Sequence, residues 1–234
     1  MQPDADPSSP CAAALSGRPR RPACAACLRP QATCFCRWIT PTAHYAEVVL
    51  LQHPLEVGHA KGSARLLHLS LRRSLMATGE VFDPALLQAL VSGPLQPQAP
   101  STRPGHTLLL YPDSPPHQAL GLPAPPALTP AMLQNPGGLR LIVLDGTWRK
   151  SRKMLCLNPL LHQLPRLALH GLPASGYRIR KSHQPDQLST LEAVCAALAQ
   201  LEGSDEPFAP LLAAFDGFVA QQLACQARAG KMLA

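Results

Sequence analysis

The spacing of apolar positions changes several times along this chain, and each change marks an element. Glu47-Val-Val-Leu-Leu-Gln52 is a short apolar run closed by His53-Pro54, which predicts a buried strand. Leu67, Leu71 and Leu75 recur at i, i+4 and i+8, predicting an amphipathic helix that stops at Gly79. From Gly93 to Pro136 the pattern is lost, because twelve of the chain's 27 prolines fall there. Proline at that density excludes long regular elements. Inside this stretch Thr107-Leu-Leu-Leu-Tyr111 predicts one strand, ended by Pro112. Leu139-Arg-Leu-Ile-Val-Leu144 is apolar almost throughout, as in a core strand of a parallel sheet. Asp145-Gly146 makes the turn, and a helix is expected from Thr147 onward. Leu164 to Leu169 reads as a further short strand. Ser189 to Leu201 reads as a helix with Leu191, Val194, Cys195 and Leu198 on one face. Pro207 opens the last helix, whose apolar stripe is Leu211, Leu212, Phe215, Phe218 and Val219. Strands alternating with helices predict an α/β domain with a mainly parallel sheet.

Composition adjusts this picture little. The 234 residues are 46% hydrophobic, which supplies the core of one ordinary domain or of one domain with a small appendage. Residues 1 to 22 are rich in Pro, Ser, Ala and Arg without periodicity, and are expected to be a disordered tail. They hold no hydrophobic segment of the kind a secretory signal needs. No apolar run approaches the ~20 residues of a membrane span. A soluble, cytoplasmic protein with no membrane partner is the expectation. Charge changes the picture more: Lys plus Arg is 21 against 14 for Asp plus Glu, a net +7 that favours a polyanionic partner.

The cysteines are unevenly placed. Cys24, Cys27, Cys34 and Cys36 fall within thirteen residues, whereas Cys11, Cys156, Cys195 and Cys225 are scattered. A CxxC followed closely by a CxC offers four thiolates, the ligand count of a closed structural zinc site. The alternatives are four free thiols or a redox-active CxxC pair. Residues 23 to 40 are thus expected to form a zinc-binding knuckle ahead of a main domain at 41 to 230, with Arg29, Arg37 and Trp38 available to nucleic acid.

Two further segments carry chemistry. Asp145 ends a buried strand, where open α/β sheets place ligands. It is either a proton acceptor or the cap of the helix that follows. Trp148 is either a core anchor or the wall of a flat-ligand pocket. Arg149, Lys150, Arg152 and Lys153 are either a solvated face or partners of a phosphate backbone. Further on, Arg178, Arg180 and Lys181 again suit a polyanion. Ser189 and Glu192 have the spacing of a capping box, which explains a helix start and leaves that helix terminus available to an anion.

These motifs, in this order, resemble the DTW-domain proteins, the tRNA-uridine aminocarboxypropyltransferases. The resemblance rests on Asp145-x-Thr147-Trp148 followed by Arg-Lys-x-x-Lys-Met, on the Cys24/Cys27/Cys34/Cys36 cluster followed by Arg37, and on His53-Pro54-x-Glu56. Leu109-Leu110-Tyr111-Pro112 and Ser189-Thr190-x-Glu192-Ala193 complete it, so that it spans about residues 22 to 225. One departure is visible: Gly62-Ser63-Ala64-Arg65 stands where many members carry an Asn-Thr-Gly-Arg-like segment. The resemblance implies a SPOUT-like α/β fold, a class that includes knotted chains. It implies S-adenosylmethionine as co-substrate and transfer of its 3-amino-3-carboxypropyl group to N3 of a tRNA uridine, releasing methylthioadenosine. Bacterial members act on the variable loop. By the same resemblance Asp145 is the catalytic residue. Leu110, Pro112, Thr147 and Trp148 would hold the cofactor together with Ser189, Thr190, Glu192 and Ala193. The basic residues from Arg149 to Lys153 and from Arg178 to Lys181 would hold tRNA. Two competing functions fit the same residues, a SPOUT-like RNA methyltransferase and a non-catalytic zinc-containing RNA-binding protein.

Overall fold

The computed structural model describes residues 22–95, 103–112, 122–170 and 188–231. The tail expected over residues 1 to 22 lies, except for Pro22, outside the described residues. Five strands form one sheet in which every pairing is parallel: β1 Glu47–Gln52, β2 Ser74–Thr78, β3 His106–Leu110, β4 Leu139–Asp145 and β5 Arg166–Leu167. Their spatial order is β2-β1-β4-β3-β5. Because all run the same way, their C-terminal ends gather on one edge. Gln52, Leu110, Asp145 and Leu167 therefore sit together there.

The sheet is covered on both faces, as its near-continuous apolar strands require. Val48, Leu50, Leu108, Leu141 and Val143 point to one side. There they meet α1 (Ala64–Ser70), α4 (Thr190–Glu202), α5 (Ala209–Lys231) and the cysteine segment. The alternate residues Val49, Leu51, Leu109, Ile142 and Leu144 point to the other, against α2 (Pro84–Ser92) and α3 (Trp148–Leu157). The period-two alternation of a strand thus divides a uniformly apolar run between two cores.

Leu67, Leu71 and Leu75 do not share a helix. Helix α1 ends at Ser70, Leu71 is its C-cap, and Leu75 lies in β2, bonded in register to Val49. A leucine in every fourth position fits a helix, but it also fits a helix tail followed by a strand. Pairing with β1 decided the matter, since it satisfies a row of backbone groups that a continued helix would have left on β1. The other predicted elements lie within about two residues of expectation, whereas α2, opened by the Asp83 cap and Pro84, has no counterpart among them. The stretch Glu206–Arg228 is long and apolar enough, by length and composition, to cross a membrane. Asp216 and the polar residues around it hid this from a search for unbroken runs. In this fold Leu211, Phe215, Phe218 and Val219 are packed into the core.

The cysteine segment belongs to that same core. Phe35 is fully buried and meets Phe218 edge-on, with ring centroids 5.5 Å apart. Trp38 Nε1 donates to Gln221 Oε1 at 2.6 Å, and Gln221 Nε2 donates back to the Cys34 carbonyl at 2.9 Å. Trp38 lies so close to Gly217 that a Cβ there would collide with its ring. Only glycine allows that approach.

Candidate active site

Two clefts meet at the C-terminal edge of the sheet. The first, of about 280 Å³, is walled by Leu110, Pro112, Val143, Leu167 and Leu169, with Tyr111 and Trp148 at one side. Tyr111 and Trp148 stand edge to face at 5.6 Å. Trp148 is 47% exposed, so it is no core anchor but a wall open to a ligand. Burial pushes the Tyr111 phenol above its ordinary range, so it is neutral here. The second cleft, of about 160 Å³, is polar and includes Glu56, His59, Ser63, Asp145 and Lys150. Gly146, Ser189 and Thr190 line both. Together the clefts reach the size of small-molecule sites, roughly 300–1,000 Å³.

Asp145 is held rigidly at this junction. Its Oδ2 accepts from Gln52 Nε2 at 2.9 Å, and its Oδ1 accepts from the Thr190 hydroxyl at 2.7 Å. It does not cap α3. Thr147 does so, its Oγ1 accepting from the Lys150 amide, which corrects the capping alternative for Asp145. Each donor reaches the carboxylate because of its place in the fold. Gln52 is the register partner of Asp145 on β1, and Thr190 is the first residue of α4. Gln52 carries no motif of its own. The pairing of two strand ends was the missing signal, and one-dimensional spacing does not contain it.

His53-Pro54-x-Glu56 is a turn leading off β1. His53 Nδ1 accepts from the Leu55 amide at 3.1 Å, so its Nε2 carries the proton and donates to Glu80 at 2.8 Å. Glu80 also pairs with Lys153 at 2.8 Å, and these two partners hold its carboxyl below the usual range, Lys153 most. Glu56 pairs with Lys150 at 2.8 Å. Sequence spacing alone would not have joined either acid to the basic run.

The remaining predicted residues sort by position. Leu110, Pro112, Trp148, Ser189, Thr190 and Ala193 all line the first cleft. Thr147 lines the second instead. Glu192 is on neither wall: its carboxylate accepts from the Ser189 amide at 2.7 Å, completing the capping box with Ser189 Oγ. Arg149 and Arg152 are exposed and, among the described residues, form no ion pair, unlike Lys150 and Lys153. Arg178, Arg180 and Lys181 lie outside the described residues.

The Gly62–Arg65 segment, where the chain departs from its resemblance, is clamped over the second cleft. Ser63 Oγ accepts from the Leu191 amide at 3.3 Å, and Arg65 Nη2 donates to the Ala26 carbonyl at 2.8 Å. Arg29 adds a bond to the His59 carbonyl at 2.8 Å. The cysteine segment thereby supports the loop that borders the site. Its own four sulfurs lie within 4.8 Å of one another. Cys24 and Cys36 are 3.5 Å apart, and Cys27 and Cys34 3.7 Å. Tetrahedral Zn–S bonds of about 2.3 Å put sulfurs about 3.8 Å apart, so the group fits such an ion. The Cys24 thiol is lowered to about 6 by the backbone N–H of Cys27 first and of Ala26 second, while burial pushes Cys36 up to about 12. Among the described residues this is the one group able to hold a metal ion.

A family model described as DTW domain matches residues 21–223. The chain belongs to the DTW-domain family. It is similar to tRNA-uridine aminocarboxypropyltransferase 2 of Drosophila melanogaster, 31% identical over 197 residues, covering 80% of this chain and 69% of that protein. The Mus musculus protein of the same name is 28% identical, over 78% of this chain and 57% of its own length. Arabidopsis thaliana tRNA-uridine aminocarboxypropyltransferase A is 31% identical over 58% of this chain and 51% of its own. This DTW-domain chain thus spans between half and about seven tenths of these relatives. No solved structure matches it.

Proposed function

We propose that this DTW-domain protein transfers the 3-amino-3-carboxypropyl group of S-adenosylmethionine to N3 of a uridine in tRNA, releasing methylthioadenosine. The observation that carries the reading is Asp145, a buried carboxylate held by two hydrogen bonds where an apolar, aromatic-walled cleft meets a polar one. The names of the family relatives support the same reaction class. When bound, the sulfonium supplies an activated carbon and a good leaving group. The exposed ring of Trp148, with Tyr111 edge-on to it and Pro112 beside them, suits stacking on an adenine ring, which leaves the chain of the co-substrate to enter the second cleft.

The protein's own contributions are placement and proton handling. Choosing which carbon meets the nucleophile is positioning, and the two-cleft shape accomplishes it. The uridine N3–H must lose its proton as the N3–carbon bond forms and the carbon–sulfur bond breaks. Asp145 takes or orients that proton. Its charge would also complement the sulfonium, but that charge disappears on transfer, so pure pairing would favour the ground state. The bonds from Gln52 and Thr190 hold the carboxylate at one angle, which is what a base aimed at a single proton needs.

In this reading the exposed Arg149 and Arg152 meet the tRNA backbone, joined by Lys153 and by Arg178, Arg180 and Lys181. The metal in the Cys24/Cys27/Cys34/Cys36 group is zinc with a structural role, since all four ligands come from the chain. Thiolates of this kind and a tRNA substrate suit the reducing cytoplasm. The SPOUT-like fold is part of the same reading, supported by an all-parallel sheet with β4 lying between β1 and β3.

The deciding experiment incubates the protein with S-adenosylmethionine and tRNA, then analyses nucleosides and by-product by mass. Aminocarboxypropyl-uridine with methylthioadenosine is the expected result. Methylated nucleoside with S-adenosylhomocysteine would replace this reading by a methyltransferase, and no product with either would leave an RNA-binding protein.

A further inference from the structure

The second cleft holds an ion pair that the reaction outlined above does not use. Lys150 Nζ and Glu56 Oε1 are 2.8 Å apart, with side chains 25% and 12% exposed, and both line the cleft beside Asp145. Most lysine–carboxylate pairs on a surface are solvated and contribute little. This one lies in a concavity, and it joins the turn after β1 to the first turn of α3.

We propose that this pair is the receptor for an α-amino-acid zwitterion, Glu56 taking the ammonium and Lys150 the carboxylate of the co-substrate's aminocarboxypropyl chain. The inference rests on S-adenosylmethionine being the co-substrate. Charge selects the ligand class. A simple anion such as a phosphate would meet the Glu56 carboxylate, and a simple cation would meet the Lys150 ammonium. A zwitterion meets one opposite charge with each end and leaves the net charge of the cleft unchanged. The two protein charges are already mostly withdrawn from water and paired, so exchanging their mutual bond for two bonds to the ligand adds little desolvation. The carboxylate end would also face the start of α3, where Gly146 and Thr147 line the same cleft and free amides of a helix N-terminus favour negative charge.

Size and connection agree. The second cleft is the smaller of the two, about 160 Å³ against 280 Å³, and Gly146, Ser189 and Thr190 are walls of both. A nucleoside in the first and an amino-acid head in the second would draw the carbon chain across their junction, where Asp145 stands. Gly146 is constrained there: a Cβ would stand 3.1 Å from Lys150 Cβ. The assignment makes Glu56 and Lys150 specificity residues for which group is transferred, because anchoring the amino-acid head exposes the propyl carbon rather than the methyl. It also removes Lys150 from the residues that hold tRNA.

The test compares two ligands that differ in this head alone as far as the pair is concerned. Calorimetry on the full chain measures S-adenosylmethionine and methylthioadenosine, which has no amino-acid end, against wild type, Lys150→Met, Glu56→Gln and the double variant. The double variant leaves no unpaired charge, so it folds even if a single one does not. Affinity for S-adenosylmethionine should fall about 10- to 100-fold, the usual range for a hydrogen bond to a charged group, while methylthioadenosine binding stays within about two-fold. Decarboxylated S-adenosylmethionine should be insensitive to Lys150→Met and sensitive to Glu56→Gln. Equal losses for both main ligands, or none for either, would overturn the subsite. If the wild type binds neither ligand, the co-substrate reading fails and this proposal with it.

Discussion

Strands β1 and β4 lie side by side in register, and each end of the pair buries a carboxylate. At the N-terminal end Glu47 faces Arg140, which is 1% exposed and binds it through Nε and Nη2, while Nη1 donates to the Leu90 carbonyl at 2.8 Å. Arg73 adds a second guanidinium at 3.2 Å. At the C-terminal end Gln52 faces Asp145, which Gln52 and Thr190 hold. Both acids are more than nine-tenths buried. The difference is what lies in front of them. Glu47 is closed in by its partners, whereas Asp145 borders a cleft. Burial of a charge therefore does not by itself mark an active site. A cavity beside a charge held at a fixed angle does, and a parallel sheet offers that cavity at its C-terminal edge because helices leave the strands there.

The comparison can be broken most sharply at its chemical end. Asp145→Asn keeps the shape and removes the base. It should fold, melt close to wild type, and lose about 10²–10⁴ in rate, the usual span for a general base. Thermal melts and aminocarboxypropyl incorporation on one preparation check this, and turnover close to wild type would reduce Asp145 to a structural group like Glu47. The mirror experiment is Glu47→Gln, which leaves the Arg140 guanidinium buried with its charge uncompensated. A loss of about 3–5 kcal/mol in unfolding free energy is expected, with kcat of the remaining folded protein unchanged. Denaturant titration measures the first and active-fraction-corrected kinetics the second. A stable but slow Glu47→Gln protein would show that the two ends are not separable.

Smaller changes sharpen the contrast. Thr190→Val removes one donor from Asp145 without removing the carboxylate, and a roughly 10-fold fall in kcat with an unchanged melt is expected. An unchanged kcat would mean that the α4 terminus does not orient the base. Gly217→Ala should destabilise by about 1–3 kcal/mol by forcing Trp38 off α5, and metal chelation should act in the same direction. A melt unmoved by both would detach the cysteine segment from the core. The smallest effect belongs to the exposed cations. Neutralising Arg149 and Arg152 together should weaken tRNA binding and flatten the log–log salt dependence by about one unit for each phosphate no longer neutralised. A salt slope equal to wild type would leave them a solvated face.

Much of this molecule was legible in one dimension. Local physics suffices where neighbours in sequence are partners in structure, so the Ser189–Glu192 capping box, the buried run before Asp145 and the Cys24–Cys36 cluster were readable from spacing. The Leu67–Leu75 pattern was not, because one leucine spacing serves a helix or a helix followed by a strand until β1 supplies its partner. The candidate site divides the same way. Asp145, Trp148 and the Ser189–Ala193 helix start carry recognisable sequence patterns. Gln52, Ser63 and the Glu56–Lys150 pair do not, since each acquires its role from a residue dozens of positions away. Chain spacing records which groups are available and how each element begins and ends. Which of two buried carboxylates faces a cleft depends on how the covering helices diverge at the sheet edge, and that is decided only when the layers pack.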